Sequence, residues 1–285
     1  MAKRYTREEV LARLRGEIDA GRPIVAVGAG TGISAKFAER GGADLVGVYN
    51  SGKFRMDGHG SLAGLMPYGD ANGIVLELGA RTVLPVLKEA PAIAGICGSD
   101  PTRDMDVFLR QLIELNFSGV MNFPTVGLID GAFRRELEDT GMGYDREMAA
   151  LELARDLGLF TLGYAFAPEE GRLVGVAGLD VVIAHMGLTR GGSIGSRVAA
   201  EESLEEAVGL VTAIGEAARA EHPDILLFAH GGPIAFPDDT QFVYDRTDAV
   251  GFLGASSVER IPVEKPLEEA TAAFKAKRIG SRATA

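Results

Sequence analysis

Two histidines each close an apolar run, His185 in "VVIAH" and His230 in "ILLFAH", and each is followed at once by glycine-rich chain, "MGLTRGGSIG" and "GGPI". A neutral imidazole can take a proton or bind a metal near neutral pH, so two of them on neighbouring strands could converge as acid and base. His59 falls in a glycine-rich loop and His222 near a helix end, where neither has such company. Asp100, in "ICGSDPTRDMD", is a further base or metal ligand, or a turn residue; Asp104 is free to cap the helix that follows. Asn122 and Thr125, in "MNFPT", would set an amide and a hydroxyl beside it, suited to polarising a carbonyl.

These residues share a place in the pattern. Apolar segments at Ile24 to Val27, Leu45 to Tyr49, Ala92 to Ile96, Gly119 to Asn122, Phe160 to Tyr164, Val181 to His185, Ile225 to His230 and Val250 to Leu253 read as strands. Between them lie segments with apolar residues at helical spacing, such as "DMDVFLRQLIELN" and "SLEEAVGLVTAIGEAARAE". Strands apolar throughout and alternating with helices imply a parallel sheet covered on both faces. Eight such units predict an α/β fold, a single (β/α)8 TIM barrel with its core over about residues 23–278. Residues 1–20 predict an extra helix, placed to cover the barrel bottom, and "PLEEATAAFKAKR" a closing helix. No linker or shift in composition divides the chain.

Barrel sites form at the C-terminal strand ends. Here those ends read "GAGTG", "YNSGKFR", "CGSDPTRD", "NFPTVG", "YAFAPEE", "HMGLTRGGSIG", "HGGPI" and "GASSVER", so the polar residues gather on one face. The first of them can be forced onto a dinucleotide fingerprint through Gly30, Gly32 and Ala35, but the next strand ends in "VYNSG" without the acidic residue that would hold a ribose. The plainer reading is a tight turn in which Gly30 and Thr31 approach a ligand or merely reverse the chain. Gly231, Gly232, Gly254, Ala255, Ser256 and Ser257 follow the last two strands, where barrels often hold an anion on backbone amides. Glu259 and Arg260 come next, as a second carboxylate, a substrate clamp or a buried pair. Asn50 to Asn72 is long for such a loop; with Lys53, Arg55 and Tyr68 it suits a lid over an anion, or an oligomer contact.

Taken together, "GAGTGISAK", "YNSGKFRMDGHGSLAGLMPYGDAN", "GSDPTRDM", "NFPTVGLIDG", "DTGMGY", "AHMGLTRGGSIG", "HGGPI" and "GASSVER" resemble the phosphoenolpyruvate hydrolase-like family of TIM barrels, from about Pro23 to Arg278. The family is also similar to the barrel half of a plant tobamovirus-resistance protein, and by fold to the phosphoenolpyruvate mutase and isocitrate lyase enzymes. The resemblance implies that Ser51 and Gly52, next to Tyr49, hold the carboxylate of a pyruvate-like substrate. It also implies a magnesium site on a D-x-D motif, where this chain has "CGSDP" with Asp100 alone. Magnesium is therefore the one cofactor that the resemblance raises, and none is fixed by the sequence.

A net charge of −11 without a basic stripe argues against nucleic acid. No apolar run approaches the roughly 18 residues of a membrane span, and the N-terminus lacks the apolar core of a signal peptide, so a cytoplasmic protein is expected. Cys97 is the single cysteine, which leaves no intrachain disulfide; a free thiol there is a core residue or a nucleophile. The expected function is an enzyme, a lyase or hydrolase, acting on a small carboxylated or phosphorylated oxo-acid by acid/base chemistry with enolate stabilisation. The alternative is a barrel that binds a small ligand or a protein without turnover. A homo-oligomer is expected in either case.

Overall fold

The computed structural model describes residues 2–197 and 201–279. Eight short runs of Val, Ile, Leu, Ala and Gly form parallel strands: β1 (Ile24–Gly28), β2 (Leu45–Val48), β3 (Ala92–Ile96), β4 (Gly119–Asn122), β5 (Phe160–Ala165), β6 (Val181–His185), β7 (Leu226–His230) and β8 (Gly251–Gly254). They pair in chain order and β8 returns to β1, closing the barrel as the alternation of apolar strands and helices requires. Each observed strand lies within a residue of its expected bounds.

The helices are α1 (Arg7–Asp19), α2 (Gly32–Arg40), α3 (Asn50–Met56), α4 (Ala71–Leu78), α5 (Met105–Glu114), α6 (Gly131–Asp139), α7 (Tyr144–Asp156), α8 (Pro168–Val176), α9 (Leu204–Glu221), α10 (Pro237–Tyr244) and α11 (Ile261–Lys275). The apolar run after Asn72, which reads as one helix, stops at Leu78 and continues as a wider turn over Gly79–Val83, since Pro85 cannot extend it. Asp104 caps α5 by accepting from the amides of Asp106 and Val107, and His222 ends α9. Among the described residues no helix is long and apolar enough to cross a membrane.

Successive strand residues face opposite sides, which sorts the core into two layers. Ile24, Leu45, Ile93, Met121, Phe160, Leu162, Val181, Ile183 and Phe228 fill the barrel, and Tyr5, Val10 and Leu14 of the N-terminal segment join them, so α1 closes one end as expected. Val46, Val48, Ala92, Ala94, Val120, Val182 and Leu227 face the surrounding helices. The expected closing helix is present as α11, but none of its residues is buried.

Two close approaches shape the other end. Tyr49 turns into the barrel above Gly95, where a Cβ would lie 2.3 Å from the Cβ of Tyr49. The first βα turn meets the start of α3 so tightly that a Cβ on Gly30 would lie 1.9 Å from the carbonyl oxygen of Gly52.

Candidate active site

The inward parity that places Val181 and Ile183 in the barrel also places His185 there, and Phe228 does the same for His230. The two are register partners at the ends of β6 and β7, with ring centroids 4.3 Å apart. Tyr164, inward on β5 by the same parity, lies 5.2 Å from the ring of His185 and 5.6 Å from that of His230.

Backbone contacts assign each imidazole a different tautomer. Gly187, in the left-handed region at φ 87°, donates its amide to Nδ1 of His185 at 2.9 Å, which leaves the proton of a neutral His185 on Nε2. His230 contacts the carbonyl of Leu253 through Nδ1, so its proton sits there and Nε2 carries a lone pair. One ring is thus a donor and the other an acceptor. Burial pushes both pKa values down; His185 is lowered further by His230. His230 falls to about 4 through burial, against the raising effect of the Leu253 contact, with Arg55 lowering it again. Both rings are neutral at pH 7.

Arg55 reaches the same place from α3, with its side chain 1% exposed. Its Nε and Nη2 donate to Oε2 of Glu259 at 2.9 and 2.5 Å, and the amide of Gly30 donates to Oε1 of Glu259 at 2.6 Å. The guanidinium lies 5.7 Å from the centre of the Tyr49 ring. Tyr49, Ser51, Arg55, Tyr164, His185 and His230 line one cavity together with Ser61, Leu62, Thr189, Ala255 and Ser256, among others. Its volume is about 30 Å³, and the turn at Ser61–Leu65 and the loop after β6 form part of its wall. The Ser51 hydroxyl is buried and has no hydrogen-bond partner, as is Oδ1 of Asn50, whose Nδ2 donates to the carbonyl of Gly64 at 2.8 Å.

The remaining predicted residues separate into those that line this cavity and those with another role. Ala255 and Ser256 line it, and Ser257 beside them has a buried hydroxyl without a partner. Gly30 holds Glu259, Thr31 caps α2, and the amide of Gly52 donates to the carbonyl of Tyr49. Gly232 donates its amide to Gly187, Gly231 makes the turn to Ile234, and Gly254 packs against Val258. Arg260 bonds Glu264 and the carbonyl of Gly191. Lys53 pairs with Asp57 on the surface, Tyr68 is exposed, and so is His59.

Asp100 and Asn122 do not join the histidines. Asp100 accepts from Thr102, Asn72 and Arg103; burial alone would raise its pKa, but these bonds hold it at about 2. Thr125 lines an open cavity of about 880 Å³ together with Asp100, Cys97, Arg103 and Glu147, away from the histidines. Inward Met121 leaves Asn122 facing the helix layer, where Asn122 and Thr125 donate to Oε2 of Glu147 at 2.8 and 2.7 Å and the amide of Val126 donates to Oε1 at 2.7 Å. Oδ1 of Asn122 in turn accepts the amide of Tyr164 at 2.7 Å, so the amide fixes the strand that carries the ring beside both histidines. The Cys97 thiol has its pKa raised, chiefly by burial, and it is not a thiolate at neutral pH.

Glu147 is a residue the sequence reading missed, although Tyr144, Glu147, Met148, Leu151 and Ala154 form one buried helical stripe. Burial raises its pKa to about 7, against the three hydrogen bonds that lower it. A carboxyl raised on folding makes the native state hold its proton longer, so its favourable contribution is complete below its unfolded pKa and fades up to about pH 7. Urea unfolding should therefore show Glu147→Gln relatively more stable, against wild type, at pH 8 than at pH 5, by about 3 kcal/mol from the size of the shift. An equal difference at both pH values would refute the raised pKa.

Among the described residues no group of three His, Cys, Asp or Glu side chains is arranged for a metal. Magnesium takes oxygen ligands, and the described residues that line the histidine cavity include no carboxylate; Glu259 is bonded to Arg55 and Asp100 to Arg103. This donor set does not fit magnesium.

The family model for phosphoenolpyruvate hydrolase-like proteins matches residues 9–277, which covers the barrel and every residue of the cavity. The chain belongs to that family. It is 52% identical over 270 residues to the tomato (Solanum lycopersicum) ToMV resistance protein Tm-1(GCR237), covering 94% of this chain and 35% of that protein. The tomato susceptible form, tm-1(GCR26), is also 52% identical, over 93% of this chain and 35% of its own length. The chain thus spans about a third of these relatives. Among solved structures, phosphonopyruvate hydrolase in complex with oxalate and Mg++ superposes with a TM-score of 0.60 at 18% identity, over 93% of this chain and 87% of that one. Oxaloacetate acetylhydrolase gives 0.59 at 16%, over 97% and 90%. At these identities the family's likeness to the mutase and lyase enzymes is one of fold.

Proposed function

We propose that the family member described here is an enzyme, a lyase or hydrolase, that acts on a small carboxylated oxo-acid by acid/base chemistry next to the carbonyl. The observation that carries the reading is the pair of fixed tautomers: Nε2 of His230 is a base and Nε2–H of His185 a donor, in one cavity with an unpartnered hydroxyl. A buried hydroxyl without a partner costs about 1–3 kcal/mol, a cost that a ligand oxygen would relieve.

In this reading Ser51, with Ser256 beside it, holds the carboxylate. His230 removes a proton from the carbon next to the carbonyl, and His185 donates to the enolate oxygen as charge develops there. Arg55 is neutralised by Glu259, so it orders the wall rather than acting as a free cation. The amide of Gly232 is already taken, which favours a carboxylate over a phosphoryl group at that end. At about 30 Å³ the cavity is smaller than such an acid, so its mouth, bordered by the Ser61–Leu65 turn and the loop after β6, has to widen on binding. The oxalate complex and the oxaloacetate enzyme among the fold neighbours support this substrate class.

A second reading, binding without turnover, draws on the name of the tomato resistance protein, and the small cavity suits it too. A thermal-shift panel of oxalate, pyruvate, oxaloacetate and phosphoenolpyruvate, with magnesium or with a chelator, separates them. A ligand of the native state must raise its melting temperature. A carboxylate should give a shift that persists in the chelator and is lost in Ser51→Ala. No shift across the panel, in folded protein, would overturn the first reading.

A further inference from the structure

Two long stretches of chain meet at the barrel mouth away from the histidines. Residues 49–70 follow β2 and residues 123–143 follow β4, and both line the open cavity of about 880 Å³ that holds Asp100 and Thr125. A site of that size takes a ligand larger than a pyruvate-like acid. Leu65, Met66 and Pro67 form one wall, and Ile129, Phe133 and Met142 the other. Phe133 is 61% exposed on α6, a helix without a buried residue. The walls are apolar, but Glu147 and Thr125, both buried, line the cavity too, as does Cys97.

Glu147 is a carboxylate short of a partner. Oε2 accepts from Asn122 and Thr125 and Oε1 from the amide of Val126, so of its roughly four lone pairs three are used and one on Oε1 is left. All three donors are neutral, and a buried charge without an opposite charge is costly. Arg134, the cation that bears on Glu147 from α6, is itself held by Glu138 and Glu170.

We propose that this cavity binds an amphipathic organic cation, a primary ammonium on an apolar body, with the ammonium at Oε1 of Glu147 and the body between the two walls. The charges that line the cavity agree: among the described residues Asp70, Asp100 and Glu147 stand against one guanidinium, that of Arg103. Arg103 is engaged by Asp70, at 2.9 and 2.5 Å, and by Asp100, at 2.7 Å. An anion would therefore meet carboxylates with no free cation to hold it. A metal ion needs a group of ligands that the described residues do not form here. An ammonium donates to Oε1 in a charge-assisted bond, stronger than the neutral bonds already there, and favours the ionised carboxylate against the burial that disfavours it.

Cys97, the single thiol of the chain, reports whether the cavity is filled. At pH 8, where Glu147 is ionised, the absorbance released from 4,4′-dithiodipyridine follows its modification by a neutral reagent that ignores amines. Saturating 4-phenylbutylamine should slow that reaction at least about 5-fold, since the reagent reaches only the empty cavity. The alcohol 4-phenylbutanol, with the same body and no charge, should bind at least about 10-fold more weakly, and the acid 4-phenylbutyrate should give no protection. Glu147→Gln should bind the amine no better than the alcohol. Phe133→Ser, whose fold is safe because the ring is exposed, should weaken both. Equal protection by amine and alcohol, an amine affinity unchanged in folded Glu147→Gln or in Phe133→Ser, or no protection by the amine would each overturn the proposal. Neither Glu147, Phe133 nor Cys97 lines the histidine cavity, so oxalate binding reads independently of the outcome.

Discussion

His230→Ala will slow exchange of the methyl protons of pyruvate with solvent deuterium by about 10²–10⁴-fold relative to wild type, the usual worth of a general base. Exchange read by proton NMR needs no knowledge of the full reaction, only that the site enolises an oxo-acid. The variant gives up the bond to the carbonyl of Leu253 and the ring's packing against Tyr164 and His185, a loss of about 2–4 kcal/mol, so its fold is checked by circular dichroism. His230→Gln is the sharper control, since it keeps a donor for Leu253 but no basic nitrogen. With its pKa at about 4, His230 is already a free base across the neutral range, so the wild-type rate should be flat from pH 6 to 8. A bound carboxylate raises that pKa by favouring the charged ring, which makes His230 a better base when substrate is present. Exchange at the wild-type rate in both variants would remove His230 from the chemistry.

The largest effect on stability is expected from Glu259→Ala. It strands the Arg55 guanidinium, 1% exposed, without its partner and frees the amide of Gly30, and breaking a buried pair in this way costs about 3–5 kcal/mol. Replacing both partners, as Arg55→Met/Glu259→Leu, should recover much of that loss, because no buried charge is left over. Asp57→Ala, which removes the exposed partner of Lys53, should cost no more than about 1 kcal/mol. Urea unfolding of the three proteins decides the matter. A loss below about 1 kcal/mol for Glu259→Ala would mean that water reaches Arg55.

What was legible in the sequence, and what was not, follows from distance along the chain. The eight strands were legible because each is a short apolar run between turn signals, and parity along β6 and β7 already faces His185 and His230 inward. The same parity, applied to β4, turns Asn122 outward beside inward Met121, away from the histidines, and applied to β5 it brings Tyr164 in. Asp100 follows its strand by a loop, where parity says nothing, and its bonds to Thr102 and Arg103 are local. Arg55 and Glu259 are 204 residues apart, and no periodicity joins them. Glycines at the mouth read equally as anion-binding turns and as close packing; Gly30 and Gly52 are the latter, because two backbones touch there.

Nitrogen-15 NMR of the imidazoles, while oxalate is added in the presence of a chelator, shows whether a small carboxylate enters the histidine cavity. The chain has four histidines, so the spectrum can be assigned by single substitutions. Free His185 should carry its proton on Nε2 and His230 on Nδ1, and oxalate should move both sets of signals, leaving those of exposed His59 in place. Oxalate binding that leaves His185 and His230 unmoved, or no binding at all, would contradict the placement of the carboxylate there.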